Sequence, residues 1–219
     1  MIRMHESDKV MSTMQSSIKR LMDLVVAGLA LVCFSPLLLL ITLTVRLTSP
    51  GPALFRQQRL GKDGTPFTLY KFRTMYHGVA QVKAPDGSNV VVKDDPRITP
   101  VGRFLRAYSL DELPQLLNVL RGEMSLIGPR PDQVEHVAFY VEDDKRKLAM
   151  KPGMTGLAMV RGRNTLPWKE RVRLDVWYVD HYSLWLDVKT LLKTIPVLLF
   201  RQGVYVEPQT LNSESKDHA

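Results

Sequence analysis

Apolar positions are unevenly spread along this chain of 219 residues. Between Asp23 and Arg46 there is no charged side chain, and residues 24–45 read LVVAGLALVCFSPLLLLITLTV. As a straight helix rising about 1.5 Å per residue, this run reaches roughly 33 Å, enough for a hydrocarbon core of about 30 Å. Buried helices of soluble proteins usually carry shorter apolar runs. The run also exceeds the apolar region of a cleaved signal peptide, and no A-x-A-like site follows it, so the mature protein is expected to keep it. Ser35-Pro36 falls near its middle, where proline removes an amide donor and crowds the preceding turn. A serine hydroxyl can satisfy the carbonyl freed in this way. Both flanks are basic, with Lys19 and Arg20 before and Arg46, Arg56, Arg59 and Lys62 after. A crossing segment calls for a lopsided distribution. The charges therefore favour a helix that dips in, bends at Ser35-Pro36 and returns to the same face over one that crosses.

The pattern changes after Ser49-Pro50-Gly51-Pro52, which stops the helix. Residues 53–60 and 66–72 flank Gly61-Lys62-Asp63-Gly64 and predict a hairpin. Residues 77–97 read as a loop, with one short edge strand at Val90-Val91-Val92. Thr99-Pro100 supplies an N-cap and first helical residue for a helix to Ala107. Ser109 opens another, running to about Arg121, with Gly122 as its stop. Residues 132–149 predict a charged helix, 151–164 a glycine-rich basic loop, and 168–182 and 184–200 two further helices. The last is rich in Leu, Ile, Val and Trp, and suits a membrane surface and a protein core equally. The chain thus divides into a polar lead-in (1–18), a membrane helix (19–48), a folded domain (49–206) and a polar tail (207–219).

A formal charge of +8 favours anionic partners, whether nucleic acid, lipid head groups or phosphorylated substrates. The single cysteine, Cys33, lies within the apolar run, which excludes an intrachain disulfide and a cysteine-rich metal site. There is no zinc spacing, RNP-like motif or basic region leading into heptads, which argues against nucleic acid. Nor is there a phosphate loop of the G-x-x-x-x-G-K-[ST] type or a G-x-S-x-G elbow. His5, His77, His136, His181 and His218 lack metal-ligand spacing. What remains is Ser109-Leu110-Asp111-Glu112. A capping box accounts for Glu112, and acidic residues suit a helix N-terminus. The cap explains Asp111 less well, and such a carboxylate suits a nucleophile or a Mg²⁺ ligand. Basic residues stand in stiff settings around it in sequence: Lys71 and Arg73 in YKFRTM, Arg103 and Arg106 before the acidic pair, Arg130 between Pro129 and Pro131, and Arg161 and Arg163 beside Gly162. Several arginines beside an acidic pair suggest a clamp for phosphate oxygens.

These motifs resemble those of the bacterial sugar transferases, the monotopic polyprenyl-phosphate hexose-1-phosphate transferases. The matching pieces are Lys19-Arg20-x-x-Asp23, Ser35-Pro36, residues 70–75, SLDELPQ at 109–115 with Asn118-Val119, MSLIGPRP at 124–131, KPGMTG at 151–156 and Gly162-Arg163-Asn164. The resemblance implies a predominantly helical α+β fold. An N-terminal re-entrant membrane helix hairpin, bent at Ser35-Pro36, would carry a small cytoplasmic catalytic domain with interfacial amphipathic helices. It implies transfer of a hexose-1-phosphate from a UDP-sugar to a polyprenyl phosphate such as undecaprenyl phosphate, with release of UMP, as the first membrane step of a polysaccharide or glycoconjugate. Asp111 would be the nucleophile, and Glu112 would assist it in binding Mg²⁺. Lys71, Arg106, Arg130 and Arg163 would bind phosphate or nucleotide. The protein would sit in the bacterial inner membrane among its lipids, with the domain on the cytoplasmic face and no nucleic-acid partner. Arg161 stands where a small polar residue is common in such proteins. The oligomeric state and the sugar are left open by the sequence.

Overall fold

The computed structural model describes residues 13–83, 90–92 and 94–204. Most of the expected lead-in (1–12) and the whole polar tail from 207 lie outside the described residues, and the first helix begins at Thr13, six residues before the predicted start at 19.

This helix, α1 (Thr13–Thr48), continues through Pro36. The proline has no N–H for the carbonyl of Val32, and Ser35 Oγ donates to that oxygen at 2.8 Å instead. Where the sequence predicts a hairpin, the chain thus forms one hydrogen-bonded helix, in which a bend would be an internal one. Its buried residues are Lys19, Asp23 and Ala27 toward one end and Ile41 and Val45 toward the other. Between them Val32, Cys33, Phe34, Ser35 and Pro36 are exposed in succession, more than one full turn of about 3.6 residues. The helix therefore touches the domain at both ends and leaves it in the middle.

Both attachments are polar as well as apolar. At the first, Lys19 Nζ lies 2.6 Å from Asp187 Oδ2. Arg20 donates to the carbonyls of Val119 and Leu120 at 2.6 and 2.9 Å. Asp23 accepts from Ser125 Oγ and the Leu126 amide. Ala27 joins Phe67, Leu69, Leu116, Val119 and Met124 in one core cluster. At the second, Ile41 and Val45 pack with Ala53, Phe72 and Leu105. Arg73 closes that end by donating to the carbonyls of Val45, Ser49 and Pro50, oxygens that the last turn of a helix leaves without amide partners.

The expected hairpin is present: β1 (Leu54–Leu60) pairs antiparallel with β2 (Pro66–Phe72) in the register Leu54↔Phe72 to Leu60↔Pro66. α2 (Pro100–Ala107) starts as predicted, with Thr99 Oγ1 accepting from the Gly102 amide at 2.9 Å. A 3₁₀ turn (Leu110–Glu112) then leads into α3 (Gln115–Arg121), which ends at left-handed Gly122. β3 (Ser125–Ile127) and β4 (Gly153–Thr155) form a short parallel pair that the sequence pattern does not predict. A Cβ at Gly153 would lie 2.1 Å from the Gly128 amide nitrogen, and one at Gly156 2.1 Å from the Gly128 carbonyl oxygen. Those glycines permit the close backbone approach.

Three expectations differ. Residues 132–149 form two 3₁₀ segments, Val134–Phe139 and Glu142–Ala149, rather than one helix. Tyr140 separates them in extended conformation, its hydroxyl donating to Asp132 and its ring stacked on Trp168. The predicted 151–164 loop contains β4, α4 (Leu157–Arg161) and a 3₁₀ turn at Arg163–Thr165. Val90-Val91-Val92 is not a strand.

α5 (Trp168–Asp180) and α6 (Leu184–Leu199) complete the described chain. Tyr178 and Val179 of α5 pack with Ile127, Met150 and Leu157. In α6 both faces are mixed. Asp187 and Thr190 are buried together with Val197, whereas Trp185, Leu192, Ile195 and Leu199 are exposed. Asp187 accepts from Lys19 and Tyr178, and Thr194 shares a hydrogen bond with Thr155. A helix in a water-soluble domain turns its apolar side inward; this one buries Val197 and packs Leu186 yet leaves a row of large apolar side chains outward.

Candidate active site

The acidic pair sits where α2 meets α3. Ser109 has φ 56° and no capping bond, so the predicted capping box does not form. Its hydroxyl instead accepts from Arg163 Nη2 at 3.0 Å. Glu112, released from a capping role, makes an ion pair with Lys71 Nζ at 2.6 Å. Asn118 fixes the register that makes this pair meet. It accepts from the Tyr70 amide and donates to the Thr68 carbonyl and Glu123, locking α3 to β2 one residue from Lys71.

Lys71, Glu112 and Arg130 line one open cleft, together with Arg59, Leu69, Gln115, Pro131, Gly153, Met154 and Met159, enclosing about 290 Å³ including its mouth. Asp111, Arg106 and Arg163 are not among its lining residues, yet all three belong to the same electrostatic cluster. Burial pushes the Asp111 carboxyl up to about 6, with Glu112 adding to the rise and Lys71, Arg106 and Arg163 opposing it. Glu112 is shifted the other way: burial would raise it, but Lys71, Arg130 and Arg163 hold it at about 2. Two neighbouring carboxylates are thus pushed apart, a common arrangement where they take different chemical roles. Of the two, Glu112, paired with Lys71, is the more acidic carboxylate and Asp111 the more basic.

The cations are individually braced. Arg106 Nε donates to Thr74 Oγ1 at 2.7 Å. The Arg130 amide donates to Asp175 Oδ2 at 3.0 Å, and Lys147 bridges Asp175 and Asp132 behind it at 2.9 and 2.7 Å. Arg163 is buried, and its Nε has no partner among the described residues. Of the other basic residues singled out in the sequence, Arg73 belongs to the α1 terminus rather than to the cleft. Sequence reasoning assigned Arg59 to the membrane flank. It is a cleft residue whose pKa burial and Arg130 lower to about 10, and its Nε is likewise without an acceptor among the described residues. The sequence placed it only near the end of a strand before Gly61; its bridge to Gln133, which brings it to the Arg130 loop, is a tertiary contact with no local signal.

Among the described residues, no group of three or more His, Cys, Asp or Glu side chains converges as a ready metal cage. The adjacent carboxylates of Asp111 and Glu112 nevertheless suit Mg²⁺, which commonly takes one or two carboxylates and completes its shell with water and phosphate oxygens. Arginine donors lacking acceptors, with Arg130 depressing the ionisation of both Arg59 and Arg163, mark a site with surplus positive charge. Such a site is built to receive an anion.

A domain fastened along an apolar helix long enough to cross a membrane, with an acidic pair set among arginines, has the form expected of a protein that handles phosphorylated compounds. The sequence places it more closely: residues 14–201 match the bacterial sugar transferase family, and the chain belongs to that family. It is 44% identical to the sugar transferase EpsL of Bacillus subtilis over 85% of this chain and 90% of EpsL. It is 46% identical to a UDP-glucose:undecaprenyl-phosphate glucose-1-phosphate transferase of Caulobacter vibrioides over 85% of this chain and 72% of that protein. An undecaprenyl-phosphate galactose phosphotransferase of Salmonella typhimurium is 43% identical over 86% of this chain and 42% of its own longer one.

Proposed function

We propose that the protein is a phosphoglycosyl transferase. It would move a hexose-1-phosphate from a UDP-sugar to undecaprenyl phosphate at the cytoplasmic face of the bacterial inner membrane, opening the synthesis of a polysaccharide or glycoconjugate. The observation that carries this is the adjacent Asp111–Glu112 pair, with Lys71 2.6 Å from Glu112, Arg130 in the same cleft and Arg106 and Arg163 in its electrostatic surroundings. The relatives named for UDP-glucose and galactose transfer onto undecaprenyl phosphate support the substrate classes.

In the proposed reaction an Asp111 carboxylate oxygen attacks the sugar-bearing β-phosphorus. The bond from that phosphorus to the bridging oxygen breaks, and UMP leaves with the electron pair. A phosphate oxygen of the lipid then attacks the aspartyl phosphosugar, and Asp111 departs as a free carboxylate. An anionic nucleophile approaching a diphosphate meets repulsion, which the positive charge of Arg59, Arg130 and Arg163 offsets, the Nε donors of Arg59 and Arg163 having no acceptor among the described residues. Lys71 neutralises Glu112 and binds one of its oxygens. The carboxylates of Asp111 and Glu112 are the groups that would hold Mg²⁺; when bound, it supplies positive charge to the phosphoryl oxygens. The covalent step divides the reaction so that the soluble donor can leave before the lipid acceptor arrives. The path of α1 supports a re-entrant anchor: the two docked ends and the exposed residues 32–36 fit an apex at Ser35-Pro36 buried deepest in lipid. The outward apolar side of α6 fits the head-group boundary.

The test is UMP release by purified protein given undecaprenyl phosphate, Mg²⁺ and a panel of UDP-sugars that includes glucose and galactose. Asp111→Asn is expected to lower the rate by about a thousandfold or more, and to abolish label retained on denatured protein after mixing with sugar-labelled donor. Unchanged release in that variant would overturn the nucleophile.

A further inference from the structure

We propose that residues 201–204, which continue the chain beyond α6 and Phe200, form a positioning strap for donor binding by holding the linked pair Ser109 and Arg163 beside Asp111 and Glu112. The inference rests on the reading of Asp111 and Arg163 given above. Ser109 and Arg163 have φ values of 56° and 54°, and both are non-glycine residues in the left-handed region. Such conformations persist where surrounding contacts over-determine them. The two side chains are joined by the bond from Arg163 Nη2 to Ser109 Oγ at 3.0 Å.

The contacts that fix these backbones come from the same four residues. On the Ser109 side, the Arg201 guanidinium stacks over the Tyr108 ring at 4.3 Å and donates to the Tyr108 hydroxyl. On the Arg163 side, the Gly203 carbonyl accepts from the Asn164 amide at 3.2 Å and the Val204 carbonyl from Asn164 Nδ2 at 2.8 Å. The Gln202 carbonyl lies 3.5 Å from Arg163 Nη1. The strap is itself bound back to α6, its Arg201 and Gln202 amides donating to Leu198 and Val197. Gly203 has φ 60°, and a Cβ there would fall 2.4 Å from the Gly162 carbonyl oxygen and 3.1 Å from Arg163 Cβ. A side chain at 203 would therefore lift the strap from the loop. An ordinary helix end needs none of these long-range bonds. Here they converge on the residue before Ser109 and the residue after Arg163.

The experiment measures UMP release against UDP-sugar concentration for Gly203→Ala, Arg201→Gln and Arg201→Lys in full-length protein, with Arg163→Lys as reference. Displacing a binding group by a fraction of an ångström to an ångström is expected to raise KM for the UDP-sugar between about tenfold and a hundredfold in Gly203→Ala and Arg201→Gln. KM for undecaprenyl phosphate and the thermal midpoint should stay near those of the parent, and Arg201→Lys should restore most of the donor KM. The double variant Arg201→Gln/Arg163→Lys should be no worse than Arg163→Lys, because the strap acts through Arg163. A parental donor KM in Gly203→Ala and Arg201→Gln, or additive effects in the double variant, would overturn the strap. If Arg163→Lys and Asp111→Asn also retain parental kinetics, the underlying assignment of the site fails instead.

Discussion

Lys147 shows how much of this site is held from behind by a residue that touches no substrate. It is fully buried, with its ammonium 2.7 Å from Asp132 and 2.9 Å from Asp175, and Asp175 in turn grips the backbone of Arg130. Lys147→Met leaves two buried carboxylates without their cation, at an expected cost of about 3–5 kcal/mol. The pH dependence identifies the cause. In the parent, burial pushes Asp132 up, but the Lys147 charge, hydrogen bonds from Lys147 and Tyr140 and the His136 ring 3.6 Å away hold it well below the ordinary range. A depressed folded pKa contributes stability above the unfolded value of about 3.9 and loses it as pH falls through the folded one. Asp175 is raised, chiefly by burial, so its contribution has the opposite sign: present at low pH and lost as pH rises through its folded pKa. Without Lys147 both carboxyls are pushed up, and protonation relieves them. The gap in thermal midpoint between Lys147→Met and the parent should narrow from about pH 8 to about pH 5. A gap that stays constant or widens on acidification would refute this account. Lys147 and Asp175 were not legible as site supports, because the sequence shows them only as charges in helical runs. The acidic pair itself was legible, but its helix-cap reading failed once Ser109 took a left-handed conformation that no local pattern announces.

Among elements, the long or strongly patterned ones were readable. The hairpin of β1 and β2, the capped start of α2 and the extents of α5 and α6 follow from alternation, turn residues and period. β3 and β4 have three residues each, too few to establish any period, and they exist because Gly128, Gly153 and Gly156 let two backbones approach. The segment at 132–149 has helical composition, yet Tyr140 interrupts it to reach Asp132 and Trp168, a tertiary demand that overrides propensity. Arg73 belongs at this scale too. The sequence sets it beside Lys71 among the basic residues in stiff settings, and it completes the C-terminus of α1 through Val45, Ser49 and Pro50. Arg73→Met should cost about 1–3 kcal/mol for each carbonyl left buried without a donor. Faster amide hydrogen exchange at residues 45–49 and unchanged KM for the UDP-sugar should accompany the loss. A raised donor KM with parental stability would place Arg73 in the cleft instead.

For the whole molecule, the placement of α1 decides which surfaces meet lipid. Single cysteines placed before Lys19 and after Arg46, in a protein whose Cys33 is replaced by serine, should be labelled by an impermeant maleimide from the same side of inverted vesicles. Labelling from opposite sides would rule out the re-entrant path. The apolar run announced this helix from the sequence alone, and the basic flanks are the reason to expect both of its ends on one side. The sequence did not reveal that its inner stripe of Lys19, Asp23, Ala27, Ile41 and Val45 is complementary to a particular domain. A tether of equal hydropathy joined through a linker would be an interchangeable part. This helix is not one: Ala27 has no exposed surface, and the side chains of Lys19, Arg20 and Asp23 are spoken for by α6, α3 and β3. Cutting it away to obtain a soluble domain would open two core clusters at once. Grafting on a foreign apolar helix would produce a protein that finds the membrane and fails to fold there.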